Sequence, residues 1–128
     1  MVPGIASTDG GDEPGPVDGP IATQLRKGVL EYCVLALLRG GPRYGVELLQ
    51  ELGRHPMLAT SQGTIYPLLS RLRRAGLADT FLRDSASGPS RRYYTLTKAG
   101  ESALAEFTAL WPAFRATIDH VLAPGEHP

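Results

Sequence analysis

The chain has one cysteine, Cys33, among 128 residues, so it cannot form an internal disulfide, and a reducing compartment suits it. Cys33 lies in an apolar, helix-like pattern, where a small packed hydrophobe is a better role than a reactive thiol. No uninterrupted apolar run approaches the roughly 18 residues of a membrane helix, and the amino terminus has neither a basic leader nor an apolar core. A cytoplasmic protein without membrane contact is expected. His55, His120 and His127 are scattered, no phosphate-cradling glycine loop follows a strand, and no paired carboxylates flank a nucleophile. These absences argue against an enzyme and leave no catalytic residue, cofactor or metal site to name. The weak grouping of His120 with Asp119 or His127 lacks the thiolates that would strengthen a zinc site.

Net charge is missing too, 13 bases balancing 13 acids, but the balance hides an asymmetry. The first twenty residues hold Asp9, Asp12, Glu13 and Asp18 and neither Lys nor Arg. From Arg54 to Lys98 the bases Arg54, Arg71, Arg73, Arg74, Arg83, Arg91, Arg92 and Lys98 face only Asp79 and Asp84. Such a concentration is the footprint of an anion-binding face.

Gly and Pro are plentiful, and with scattered acids they dominate residues 1–22, a composition that cannot bury enough apolar surface to offset chain ordering. That segment reads as a disordered tail, with a second short tail over 123–128. From Thr23 to Arg39 one helix is expected. Its stripe is Leu25, Val29, Tyr32, Cys33, Ala36 and Leu37, widened nearly all round by Leu30, Val34, Leu35 and Leu38, so it should be central. Gly40-Gly41-Pro42 breaks it, and a second helix runs from about Tyr44 to Leu52 with Val46, Leu48, Leu49 and Leu52 available for packing.

The most informative stretch is Thr60 to Gly76. Ile65, Leu68, Leu69 and Leu72 fall at i, i+3, i+4 and i+7 and make one buried stripe. The opposite face holds Gly63, Pro67, Ser70 and Arg74, flanked by Thr64, Tyr66, Arg71 and Arg73, a mixture of small, polar and cationic groups suited to phosphates and base edges. Ser61 or Thr60 can cap the start, and Ala75-Gly76 marks the stop. Pro67 forfeits a bond to Gly63, so either the helix begins with a distorted turn or Gly63 to Pro67 is a turn before a shorter helix. Two short helices, the second with a polar-cationic outer face, form a helix-turn-helix pattern.

Beyond Gly76 the period changes. Leu77 to Arg83 and Arg91 to Leu96 read as a β-hairpin around a flexible loop, Asp84 to Ser90, with Arg83, Arg91 and Arg92 at its base able to line phosphates. Thr97 then caps a last helix to about Leu122, with Glu101 in its first turn. Leu104, Phe107, Trp111, Phe114, Ile118 and Val121 alternate steps of three and four, a coiled-coil seam that predicts dimerisation on the partner's first helix. Pro112 should kink it. Core or interface packing is the first reading of Trp111; the second is sensing, since two-fold symmetry would bring both copies together, where two indole faces could sandwich a flat aromatic molecule.

Four segments in this order resemble the PadR-like family of winged-helix transcription regulators: Leu25-Arg26-Lys27-Gly28-Val29-Leu30-Glu31, Tyr44-Gly45-Val46-Glu47-Leu48, Gly63 to Leu72, and Arg91 to Gly100. The resemblance runs from Leu25 to Leu122. It implies a mainly α fold with a minor α+β part, a winged helix-turn-helix over 23–96 with a two-stranded β-wing, and a long C-terminal dimerisation helix over 97–122, as in short-form members. It also implies a homodimer on double-stranded DNA of two-fold symmetry, usually repressing, with planar aromatic effectors held between subunits in some members. On this reading DNA is met by Tyr44, Ser61, Gln62, Gly63, Thr64, Tyr66, Pro67, Ser70, Arg71, Arg74, Arg83, Ser90, Arg91 and Arg92. The effector would meet Trp111, Phe107 and Phe114, and the dimer seam is Leu104, Phe107, Trp111, Phe114, Ile118 and Val121. Pro112 and the acidic tail depart from the family pattern. The rival reading is a winged-helix module for protein contacts without specific DNA binding.

Overall fold

The fold is set by where the chain can turn without leaving apolar side chains stranded, and this computed structural model describes it for residues 19–125. Helix α1, Pro20–Lys27, starts on extended Gly19 with Pro20 in its first turn, where a missing N–H costs nothing. It therefore begins inside the segment expected to be tail, the rest of which, 1–18, lies outside the described residues. The single helix expected over Thr23 to Arg39 is two. Gly28 and Val29 interrupt it, and α2 covers Leu30–Leu38. Glycine is a poor helix former, and turning there sends Leu30, Val34, Leu35 and Leu38 into the core while Leu25 stays 67% exposed. Helix α2 is thus central, as expected, and its Tyr32, Cys33, Ala36 and Leu37 pack half-buried against the edge of the core. Burial pushes the Cys33 thiol upward, away from the thiolate.

A short strand β1, Arg43–Tyr44, precedes α3, Gly45–Gly53. Tyr44, expected to start the helix, is its N-cap, and its backbone N–H donates to Glu47 Oε1 at 3.1 Å. Leu48 and Leu52 are buried, but Val46, expected to pack, is 39% exposed. A 3₁₀ turn, Pro56–Leu58, leads to α4, Gln62–Arg74, which is continuous through Pro67. Pro67 leaves the carbonyl of Gly63 without its usual N–H donor, and Gly63 is exposed, so water can reach that acceptor. Gly76, at φ 78°, closes α4: its N–H donates to Arg73 O at 3.0 Å and that of Leu77 to Leu72 O at 2.9 Å.

Strands β2, Ala78–Ser85, and β3, Gly88–Leu96, pair antiparallel, and β1 adds to β3 to give the order β1-β3-β2. The loop expected from Asp84 to Ser90 shrinks to a tight turn at Ala86 and Ser87, because Ser85 pairs with Gly88 after a register shift that begins at Arg83. Helix α5, Lys98–Leu122, is continuous through Pro112. Its cap, Thr97, accepts from Gly100 N–H at 3.0 Å and donates through Oγ1 to Gly76 O at 2.7 Å, pinning α5 to the corner where α4 ends.

Gly100 makes that corner possible. A Cβ there would collide with the carbonyl oxygen of Leu77 and lie 2.7 Å from Leu96 Cδ1. Gly100→Ala is expected to destabilise the fold by about 1 to 3 kcal/mol through overpacking. Gly53→Ala meets nothing within 4 Å and should be neutral or stabilising by about 0.5–1 kcal/mol. Urea unfolding of the two variants side by side checks the contrast, and equal midpoints would refute the corner's role.

Candidate nucleic-acid interface

Helix α4 is anchored by its inner face, where Ile65, Leu68, Leu69 and Leu72 are buried against α2, α3 and the sheet. Its outer residues Gln62, Gly63, Thr64, Tyr66, Pro67, Ser70, Arg73 and Arg74 are all exposed. Ser61 is the N-cap in extended conformation, but its side chain makes no bond to the helix backbone; Oγ lies 3.5 Å from Thr64 Oγ1. Arg71 differs from its neighbours. Its Nε and Nη2 donate to Glu31 Oε2 at 3.2 and 3.1 Å, so its charge is partly spent on a contact to α2. As a half-exposed pair this contributes little stability, but it leaves the Arg71 guanidinium less available to an outside anion.

Tyr66 is 40% exposed, and its ring lies directly over Gly45: a Cβ at that position would stand 2.5 Å from Cε1 and 2.8 Å from the hydroxyl. Glycine at 45 thus lets α3 and α4 approach and sets the angle of the Tyr66 ring. Tyr44, Gly45, Val46, Tyr66, Arg91 and Arg92 border one recess of about 410 Å³ between helix and wing. Sequence reading missed Val46 there.

The wing carries its arginines on aromatic supports. Phe81 and Tyr93 are register partners with rings stacked at 5.6 Å, and Tyr44 meets Tyr93 edge-on at 5.3 Å. The Arg83 guanidinium sits 4.5 Å from the Tyr93 ring centre and that of Arg91 4.7 Å from Tyr44. Arg83 and Arg91 are also directly opposite each other across the hairpin, a like-charge pair that costs stability unless an anion lies between or beside them. The pleat puts Arg92 on the other face, where its Nη1 donates to Thr80 Oγ1 at 3.0 Å, so the three arginines do not form one row. Ser90 is held by Asp84, its hydroxyl donating to Oδ1 at 2.8 Å.

Where α5 packs on α2, the rings of Tyr32, Phe107, Trp111 and Phe114 form a row with successive centre separations of 4.3, 5.5 and 6.2 Å. They line an apolar groove of about 1050 Å³ between α1 and α5. Of the seam, Leu104 is buried in the chain's own core, Phe107 and Trp111 are half-buried, and Phe114, Ile118 and Val121 are exposed. Tyr32 was not foreseen here, since only the packing of α2 on α5 brings it in. Among the described residues, no group of three His, Cys, Asp or Glu could hold a metal, and no helix is long and apolar enough to cross a membrane; His127 lies outside them.

Residues 34–106 match the model of the transcriptional regulator PadR-like family. A PadR-like transcription factor from Bacteroides fragilis is similar in structure at 40% identity, covering 80% of this chain and 99% of that one with a TM-score of 0.66. A PadR-like transcriptional regulator from Bacillus cereus is similar at 37% identity, 80% and 99% coverage and a TM-score of 0.69. In sequence, a transcriptional regulator of Mycobacterium tuberculosis is 44% identical over 63 residues, 49% of this chain and 57% of that protein.

Proposed function

This chain belongs to the PadR-like family of transcriptional regulators, not a family of enzymes, and we propose that it is a homodimeric repressor of a two-fold symmetric operator, released by a planar aromatic effector. The observation that carries DNA reading is the outer face of α4, small and polar where it would enter the major groove and bordered by the Arg91 and Arg92 side of the wing. Residues 23–96 act as the reading unit and 97–122 as the dimerisation helix. Sequencing the DNA that co-purifies with the protein from cells tests this directly. A two-fold repeated motif is the expected result, and binding that is insensitive to salt would point to a protein-interaction module instead.

The apolar groove supports the dimer and effector parts of the reading. An aromatic row that ends in exposed Phe114, with exposed Ile118 next to it, is a surface that a second copy can cover, and a flat ring can slide along it. Release requires only that the ligand favour a different spacing of the two α4 helices. Trp111 is the only tryptophan, so it reports its own site. Titration with planar aromatic compounds is expected to quench Trp111 and release operator in parallel. Quenching without release would make the groove a pocket without a switch, and neither response across a broad panel would assign Trp111 to packing alone.

A further inference from the structure

Helix α1 has two faces. Ile21, Gln24 and Leu25 line the apolar groove, whereas Thr23, Arg26 and Lys27, at i, i+3 and i+4, turn the other way. They form one wall of a second groove, about 770 Å³, whose other wall is Thr60, Ser61 and Thr64 at the start of α4. Arg71 closes its end, and among the described residues no Asp or Glu lines it. Arg26 Nη1 donates to Met57 O at 3.2 Å, tying α1 to the turn that leads into α4. At about 100° per residue, Thr64, Pro67 and Arg71 lie to one side of the exposed Gly63, Ser70 and Arg74, and Tyr66 to the other. The Tyr66 side leads to Arg91 and Arg92 of the wing; the Thr64 side leads to Arg26 and Lys27. A helix in the major groove has a phosphate backbone on each flank, the walls being about 12 Å apart. The wing supplies cations on one flank only.

We propose that the groove between α1 and α4 seats the sugar–phosphate backbone on the second flank, with Lys27 as its main cation and the Thr60 and Ser61 hydroxyls as donors. This rests on α4 being the DNA-reading helix. It extends the interface to α1, whose other face lines the apolar groove, so a shift of α1 alters both surfaces together. Lys27 also lies in the last turn of α1, where a cation favours the helix dipole. That role alone would change melting temperature and leave the salt response untouched.

The test measures binding of the full chain to its operator and to an unrelated duplex between 50 and 200 mM salt. For Lys27→Gln, affinity for both duplexes should fall alike, sequence preference should persist, and the slope of log affinity against log salt should flatten by about 1.8, about 0.9 from each subunit of the dimer, a roughly twelvefold convergence with the unaltered protein across that range. Thr23→Glu puts a carboxylate in the first half of α1, where the dipole favours it, so weakened DNA binding at an unchanged melting temperature reports the groove and not the helix. An unaltered slope in Lys27→Gln, with normal salt-dependent binding by the unaltered chain, overturns the groove and leaves α4 as the reader. No salt-dependent binding by the unaltered chain overturns both. Inorganic phosphate at matched ionic strength should displace DNA no better than chloride; stronger displacement would make the groove a site for a small free anion and overturn its assignment to the backbone.

Discussion

The double variant Phe114→Asp, Ile118→Asp is expected to be a folded monomer without measurable operator affinity, and the unaltered chain is expected to be dimeric at micromolar concentration. Phe114 and Ile118 are 59% and 41% exposed in the single chain, so a carboxylate at either position meets water there and leaves the fold intact. In an apolar seam the same carboxylate has no partner and costs about 3 kcal/mol or more, roughly a hundredfold in affinity. Two-fold symmetry counts each substitution twice. Phe107 is a poorer probe because it stacks on Tyr32 at 4.3 Å, and a charge there would damage the chain's own packing. Loss of DNA binding follows from the loss of the second half-site. Light scattering at micromolar concentration decides it: a monomeric unaltered chain, or a variant that remains dimeric, removes the dimer assignment.

Replacing Tyr66, Arg74, Arg91 and Arg92 together by Ala is expected to abolish specific binding, and the single variants should divide into two kinds. Arg74 and Tyr66 lie on the exposed face of α4, and each loses about 1 to 3 kcal/mol of discrimination if it reaches a base edge. Arg91 and Arg92 border the recess beside the wing, and losing either should weaken all sequences alike and flatten the salt slope by about 0.9 per subunit, about 1.8 for the dimer. The Tyr66 ring also fills the space over Gly45, so Tyr66→Phe keeps the packing and isolates the hydroxyl. Operator binding by the quadruple variant at the level of the unaltered chain, measured by fluorescence anisotropy, would show that DNA is read elsewhere.

The features most legible in the sequence are those that depend on local spacing. The stripe of Ile65, Leu68, Leu69 and Leu72, the stop at Gly76, the cap at Thr97 and the end of α5 at Leu122 all appear in the structure. Each rests on contacts within a few residues along the chain. The break at Gly28 was missed because the residues from Leu25 to Leu38 are apolar nearly all round, and such a pattern does not show where a helix must turn. Strand β1 was missed for a related reason: two residues carry no period, and Arg43 and Tyr44 are a strand only because Tyr94 and Tyr93 lie opposite.

Sequence alone therefore determined the family, the order of helices and hairpin, and which face of α4 turns outward, since these follow from side chains recurring at the period of the backbone. Tertiary structure decided which of those side chains remain available. It paired Arg71 with Glu31, set Arg83 and Arg91 on aromatic rings, turned Arg92 to the opposite face, and laid Tyr66 over Gly45. It also brought Tyr32 to Phe107 and Lys27 to the start of α4. Arg71 and Glu31 are forty residues apart in the chain, and no local pattern encodes a partner at that distance. Such pairs form because the buried stripes choose how the helices pack, and the surface groups then meet whatever that packing places beside them.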